Sequence, residues 1–144
     1  MMLYLLIALL TSCSMAVEDP ADYEAARRAT IDAWEQVVGV VSDVCYQMTK
    51  DTTIEEVDEI EIKDMSHVIG RTKIIRNEDN EVVQTQMIIL ESRLESRKMD
   101  TAVHEYIHIL DVCINDNEDK YHMKSKLWID YGPDTVEAVG CAGW

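Results

Sequence analysis

The sequence predicts a single small α+β domain, and three observations carry that prediction. A chain of 144 residues with 47% apolar content is enough for one core and too short for two. Two segments rich in β-branched residues, "HVIGRTKIIR" and "EVVQTQMIILE", flank the turn composition "NEDN" and read as a β-hairpin over about 67–76 and 82–91. On either side of that hairpin, apolar residues recur at helical spacing, from 18 to 48 and again from 99 to 114.

The N-terminal residues read as a processing segment. Residues 3–10, "LYLLIALL", have the length of a signal-peptide apolar core. "LTSC", Leu10 to Cys13, has the form of a bacterial lipobox: an aliphatic residue, two small ones, then the cysteine that receives lipid. Residues 1–12 are therefore expected to be removed, leaving 13–144 as the mature domain, acylated at Cys13 and held at a membrane without spanning it. "SMA", Ser14 to Ala16, is an alternative site for ordinary signal cleavage. Either route places the protein in the bacterial cell envelope or outside it. With Cys13 lipidated, Cys45, Cys113 and Cys141 remain, and three pairings for one disulfide are open.

In the mature chain, Asp19 and Pro20 form a helix-start signal. Tyr23, Ala26, Ala29, Ala33, Trp34, Val37, Val38, Val41 and Val44 continue it as one long amphipathic helix over 18–48, with Gly39 as its weak point. "TTIEEVDEIEIKDM" then reads as an edge strand or short helix. His67 opens the hairpin as an ordinary strand-end histidine. After "SRLESRK" comes the most informative segment, "MDTAVHEYIHILDVC", where Val103, Ile107, Leu110 and Ile114 form an inward stripe.

Charge excludes one class of partner. With 13 basic and 28 acidic residues the net charge is −15, a surface that repels phosphate backbones, so no nucleic-acid binding is expected. Nothing in the pattern asks for a second subunit, and a monomer is expected.

Residues 104–108 read His-Glu-Tyr-Ile-His, an HExxH sequence. Positions i and i+4 of a helix lie about 40° apart and one turn along, so both imidazoles can reach one tetrahedral zinc ion. Glu105 beside them is placed to act as general base. A third ligand is needed, and His122 lies 14 positions beyond His108, after a polar loop. Glu118, Asp119 and Glu137 are its rivals. Asp111, one turn past His108, is a candidate to orient a ligand imidazole, against the plain reading of a solvated helix-end carboxylate. Tyr121 and Tyr131 are candidates to polarise a scissile carbonyl, though each has an ordinary packing role available. Trp128 reads as core, and Cys113 as a buried thiol or disulfide partner.

"HEYIH", then a polar loop, then "YHMKSKLW" with an aromatic soon after the third histidine, resembles the SprT-like zinc metallopeptidases and related small phage and bacterial zincins, over about residues 82–131. The resemblance implies a zincin-like α+β fold around the HExxH helix; with the long N-terminal helix, which lies outside the match, the expected order is that helix, a small antiparallel sheet, the HExxH helix and a helical C-terminal part. It implies one zinc ion held by His104, His108 and His122, with Glu105 as the base. It also implies an edge strand before the helix that holds an extended peptide, and "TQMIILE" is the candidate. Met123 stands where many members have glycine, and the basic DNA-binding elements of the nuclear members are absent. The sequence thus predicts a zinc metallopeptidase acting on peptide or protein substrates. The alternatives are a non-catalytic metal-binding lipoprotein or interaction module, and a zinc amidase of cell-wall amides.

Overall fold

The computed structural model describes residues 21–61, 69–91, 95–116 and 118. The expected signal segment, Cys13, Asp19, Pro20, His67, Tyr121, His122, Trp128, Tyr131, Glu137, Cys141 and the expected helical C-terminal part lie outside them. The described chain runs α1 (Tyr23–Val37), α2 (Asp43–Asp51), β1 (Thr53–Val57), β2 (Gly70–Arg76), β3 (Val82–Leu90) and α3 (Glu95–Asn115). It is a small α+β arrangement of three helices and a three-stranded mixed sheet.

The single long helix expected over 18–48 is two helices. α1 starts at Asp22, whose carboxylate accepts the Ala25 N–H at 3.0 Å. It stops at "VVGVVS", where β-branched residues weaken the helix and Gly39 adopts φ +156°. The N–H groups of Val38 and Gly39 both close on the Trp34 carbonyl. Ser42 then caps α2, its hydroxyl accepting the Cys45 N–H at 3.3 Å. The break leaves Val44 exposed, where an unbroken stripe would have buried it, and Val40 is exposed beside the break. The buried side of α1 is Ala26, Arg27, Thr30, Ile31, Ala33 and Trp34. Arg27 is buried because its guanidinium is satisfied. It donates to Glu24, Thr49 Oγ1 and Tyr46 Oη, and lies 4.7 Å from the centre of the Tyr46 ring.

The predicted hairpin forms as β2 and β3. Its turn is built by Asn77, whose side-chain oxygen accepts the N–H groups of Asp79 and Glu81, and by Asn80 in the left-handed region at φ 64°. The strand order is β1-β3-β2, with β1 parallel and β2 antiparallel to β3. Two expectations are corrected here. The sheet is mixed rather than antiparallel, and "TQMIILE" lies in the central strand instead of at an edge. β1 is the edge strand that "TTIEEV" allowed, and β2 is the edge on the other side. Thr85, Met87 and Ile89 are the buried positions of β3, alternating as a strand with one packed face requires.

α3 crosses that face over β3 and β2, with α1 packed on it and α2 touching both α3 and β3. Val103, Ile107 and Leu110 are buried as the stripe predicts, while Ile114 is exposed near the helix end. Met99, Ala102, Tyr106, Ile109 and Val112 are buried too, so α3 is enclosed on most of its circumference. Two cross-links fix it. Cys45 and Cys113 form a disulfide between α2 and α3, settling which of the open pairings forms. At the other end, Lys98 Nζ sits 2.6 Å from Glu56 and 3.0 Å from Glu95, and Glu95 also accepts the Ala21 N–H at 2.8 Å. That ion cluster joins β1, the start of α3 and the approach to α1.

Candidate active site

At 100° per residue, the circumference of α3 divides into three sectors. Thr101, Glu105, Ile109 and Val112 form one; Val103, Tyr106, Ile107 and Leu110 form another. Glu105 bonds to Thr72 of β2, which turns the first sector to the sheet. His104, His108 and Asp111 share the third. Both histidines are half-buried, and their ring centroids are 5.1 Å apart with planes at 69°.

That spacing can be tested against zinc. Two imidazoles on one tetrahedral ion, with Zn–N of about 2.0–2.1 Å, have ring centroids about 5 Å apart. The centroid separation of the pair matches that value. Among the described residues no group of three His, Cys, Asp or Glu side chains is placed to hold a metal. Three of the side chains singled out in the sequence can be placed: one rival third ligand, Glu118, and the neighbours Cys113 and Asp111. Glu118 is taken up by Arg76, 3.0 Å from its Nε, beside Asp116 at 2.8 Å. Cys113 is bonded to Cys45. Asp111 is only 1% exposed, so the reading of a solvated helix-end carboxylate is overturned; it accepts the Asn115 amide at 2.8 Å. His122, Glu137 and Asp119 lie outside the described residues, as do Tyr121 and Tyr131.

Glu105 is 5% exposed. Burial disfavours its charged form and pushes the carboxyl up to about 7, while the hydroxyl and N–H of Thr72 pull in the opposite direction. The Thr72 hydroxyl donates to Glu105 Oε2 at 2.6 Å and lies 3.2 Å from the Glu105 carbonyl oxygen. Gly70, two residues earlier on the same face of β2, leaves the space beside Glu105 open. A Cβ there would meet Thr101 Cγ2 and lie 3.1 Å from Glu105 Oε1. A carboxyl poised near neutrality within a helix that also presents two imidazoles suits proton transfer.

Sequence reasoning missed Thr72 and Gly70. One signal was present: a glycine inside a β-branched run marks a close approach of something to the strand. Nothing local marked Thr72.

The edge beside this site is β2. The Leu90 N–H bonds to the Ile69 carbonyl at 3.1 Å. Antiparallel alternation then directs the backbone groups of Gly70, Thr72 and Ile74 away from β3. Among the described residues no strand pairs with that outer side. An open groove of roughly 470 Å³ lies elsewhere, between α2 and the start of β3, and none of the HExxH residues lines it. No helix among the described residues is long and apolar enough to cross a membrane. No family model, curated protein or solved structure matches the chain.

Proposed function

We propose that this protein is a zinc-dependent metallopeptidase of the bacterial envelope. The observation that carries the reading is the combination on one helix of two imidazoles at the spacing of a shared ion and a buried glutamate whose carboxyl is raised to about 7. His104, His108 and His122 would hold the ion, with Glu137 or Asp119 as the alternatives to His122. Bound zinc supplies Lewis acidity at neutral pH. Glu105 accepts a proton from the attacking water and passes it to the leaving amine. The outer edge of β2 takes the role first given to "TQMIILE", its groups at Gly70 and Ile74 pairing with the backbone of an extended peptide while the Thr72 N–H stays with Glu105. A zinc amidase would use the same residues on a different amide, so the substrate panel should contain both classes.

The envelope assignment draws support from the Cys45–Cys113 disulfide, a bond that persists in oxidising compartments. Lipid on Cys13 would hold the mature domain at the membrane.

The test is zinc content and hydrolysis of a broad peptide and cell-wall amide library, for the wild type and Glu105→Gln. The variant should retain zinc and fold while hydrolysis drops by about 10²-fold or more. Full activity in the variant, or a zinc-loaded wild type that cleaves nothing, would remove the hydrolase reading.

A further inference from the structure

We propose that Thr72 is a positioning residue for Glu105, holding its carboxylate in one orientation, and that Gly70 is glycine because β2 lies so close to α3 there that a Cβ would collide with Thr101. The proposal rests on the hydrolase reading in so far as Glu105 acts as the base; the contact itself does not.

The argument begins with the carboxylate. A glutamate on a helix has three side-chain torsions, and burial alone does not choose among their combinations. Two features of β2 do. The Thr72 hydroxyl reaches Oε2 at 2.6 Å, a short contact of the kind that charge-assisted O–H···O bonds make. The same hydroxyl lies 3.2 Å from the backbone oxygen of Glu105, and its single proton goes to Oε2, the shorter contact. Glycine at position 70 lets β2 come close enough to α3 for that contact. The space a side chain there would fill is bounded by Glu105 Oε1 at 3.1 Å, Glu105 Cγ at 3.5 Å and Thr101 Cγ2. Positions 70 and 72 share a face because strand side chains alternate, so one strand supplies both the donor and the clearance.

The chemistry follows from how the carboxyl is held. The hydroxyl serves Oε2 and the Thr72 N–H also bonds the carboxyl, so one residue of β2 sets the orientation in which Glu105 meets a proton. β2 is also the edge strand offered to substrate. The base and the substrate backbone are therefore referenced to the same few residues of chain. A hydroxyl at position 72 is the requirement; the methyl of threonine suits a strand but does not touch the argument.

The experiment compares Thr72→Val, which keeps the shape and removes the donor, with Thr72→Ser, which keeps the donor. Thr72→Ala stands in for the valine variant if that one does not fold. Zinc content and far-UV circular dichroism should match the wild type. In Thr72→Val, kcat should fall by about 10- to 100-fold with KM little changed, the signature of a misplaced group rather than lost binding. Thr72→Ser should recover most of it. A second readout needs no activity: the 13C resonance of the Glu105 carboxyl in metal-free protein, assigned by its loss in Glu105→Gln. It should move in Thr72→Val and return in Thr72→Ser. A wild-type kcat in Thr72→Val, or an unmoved resonance, overturns the proposal. A zinc-loaded wild type that cleaves nothing sinks the hydrolase reading instead, and the contact then stands or falls on the resonance.

Discussion

Replacing both cysteines of the Cys45–Cys113 bond by alanine removes the one covalent link between α2 and α3 among the described residues. The bond joins residues 68 apart in sequence, and the unfolded-chain entropy excluded by a ring of that length corresponds to about 4 kcal/mol at 25 °C. A domain of this size has a total stability of roughly 5–15 kcal/mol, so the loss is a large share of it. The alanines themselves add little, because only small buried volumes change. At a urea slope of about 1–3 kcal/mol per M, the unfolding midpoint should drop by about 1.5–4 M. The assay is urea unfolding of the zinc-chelated mature domain followed by circular dichroism. The double variant is preferred to added reductant, which would also act on any bond made by Cys141. On the proposed reading of a zinc site, zinc affinity should weaken as well, since Cys113 anchors the end of the helix that carries His108. A midpoint unchanged within the extrapolation error of about 10–15% would refute the reasoning, leaving α2 and α3 joined by packing alone.

Two further predictions follow from Glu105 and its surroundings. Its carboxyl is raised from 4.5 to about 7 in the folded state, so between those values the folded protein binds more protons than the unfolded one. Stability of the metal-free protein is then highest below about pH 4.5 and falls as pH rises through about 7, by about 3 kcal/mol in total. Glu105→Gln lacks this term, so its unfolding free energy from urea titration should gain about 2–3 kcal/mol relative to the wild type from pH 5 to pH 8; a constant gap would contradict the burial. Gly70→Ala would drive a methyl group against Thr101 and Glu105, costing about 1–3 kcal/mol as overpacking does. A melting temperature equal to the wild type's would show that β2 does not approach α3 as closely as described.

What the sequence revealed was local. "NEDN" announced the hairpin because asparagine side chains make the turn from within it, and HExxH placed two imidazoles on one helical face because the helix repeat dictates it. The break between α1 and α2 was harder to read, since apolar residues continue across "VVGVVS" at helical spacing. Gly39 and the capping side chain of Ser42 decide it, and periodicity weighs neither. Arg27 was illegible: a charged residue reads as surface until Thr49 and Tyr46 arrive from α2. The place of "TQMIILE" also depended on a distant event. Its alternation is the same at an edge or in the centre, and the pairing of Thr53 with Gln86 makes it central. Thr72 and Glu105 are 33 residues apart, so no window of sequence contains their contact.

The bond between Cys45 and Cys113 also divides the molecule topologically. It closes a ring of chain that contains the whole sheet and α3 as far as Cys113, and α1 lies outside that ring. Among the described residues α1 is joined to it through residues 38–44 and by its own packing. A single protease cut anywhere inside the ring leaves both pieces linked, and they travel together on a non-reducing gel. A cut at exposed Val40 falls outside the ring, and among the described residues the α1 side is then held by contacts such as those of Trp34 and Arg27. The helix carrying both histidines would stay in the closed part, losing cover from behind while its histidine face is left as it was.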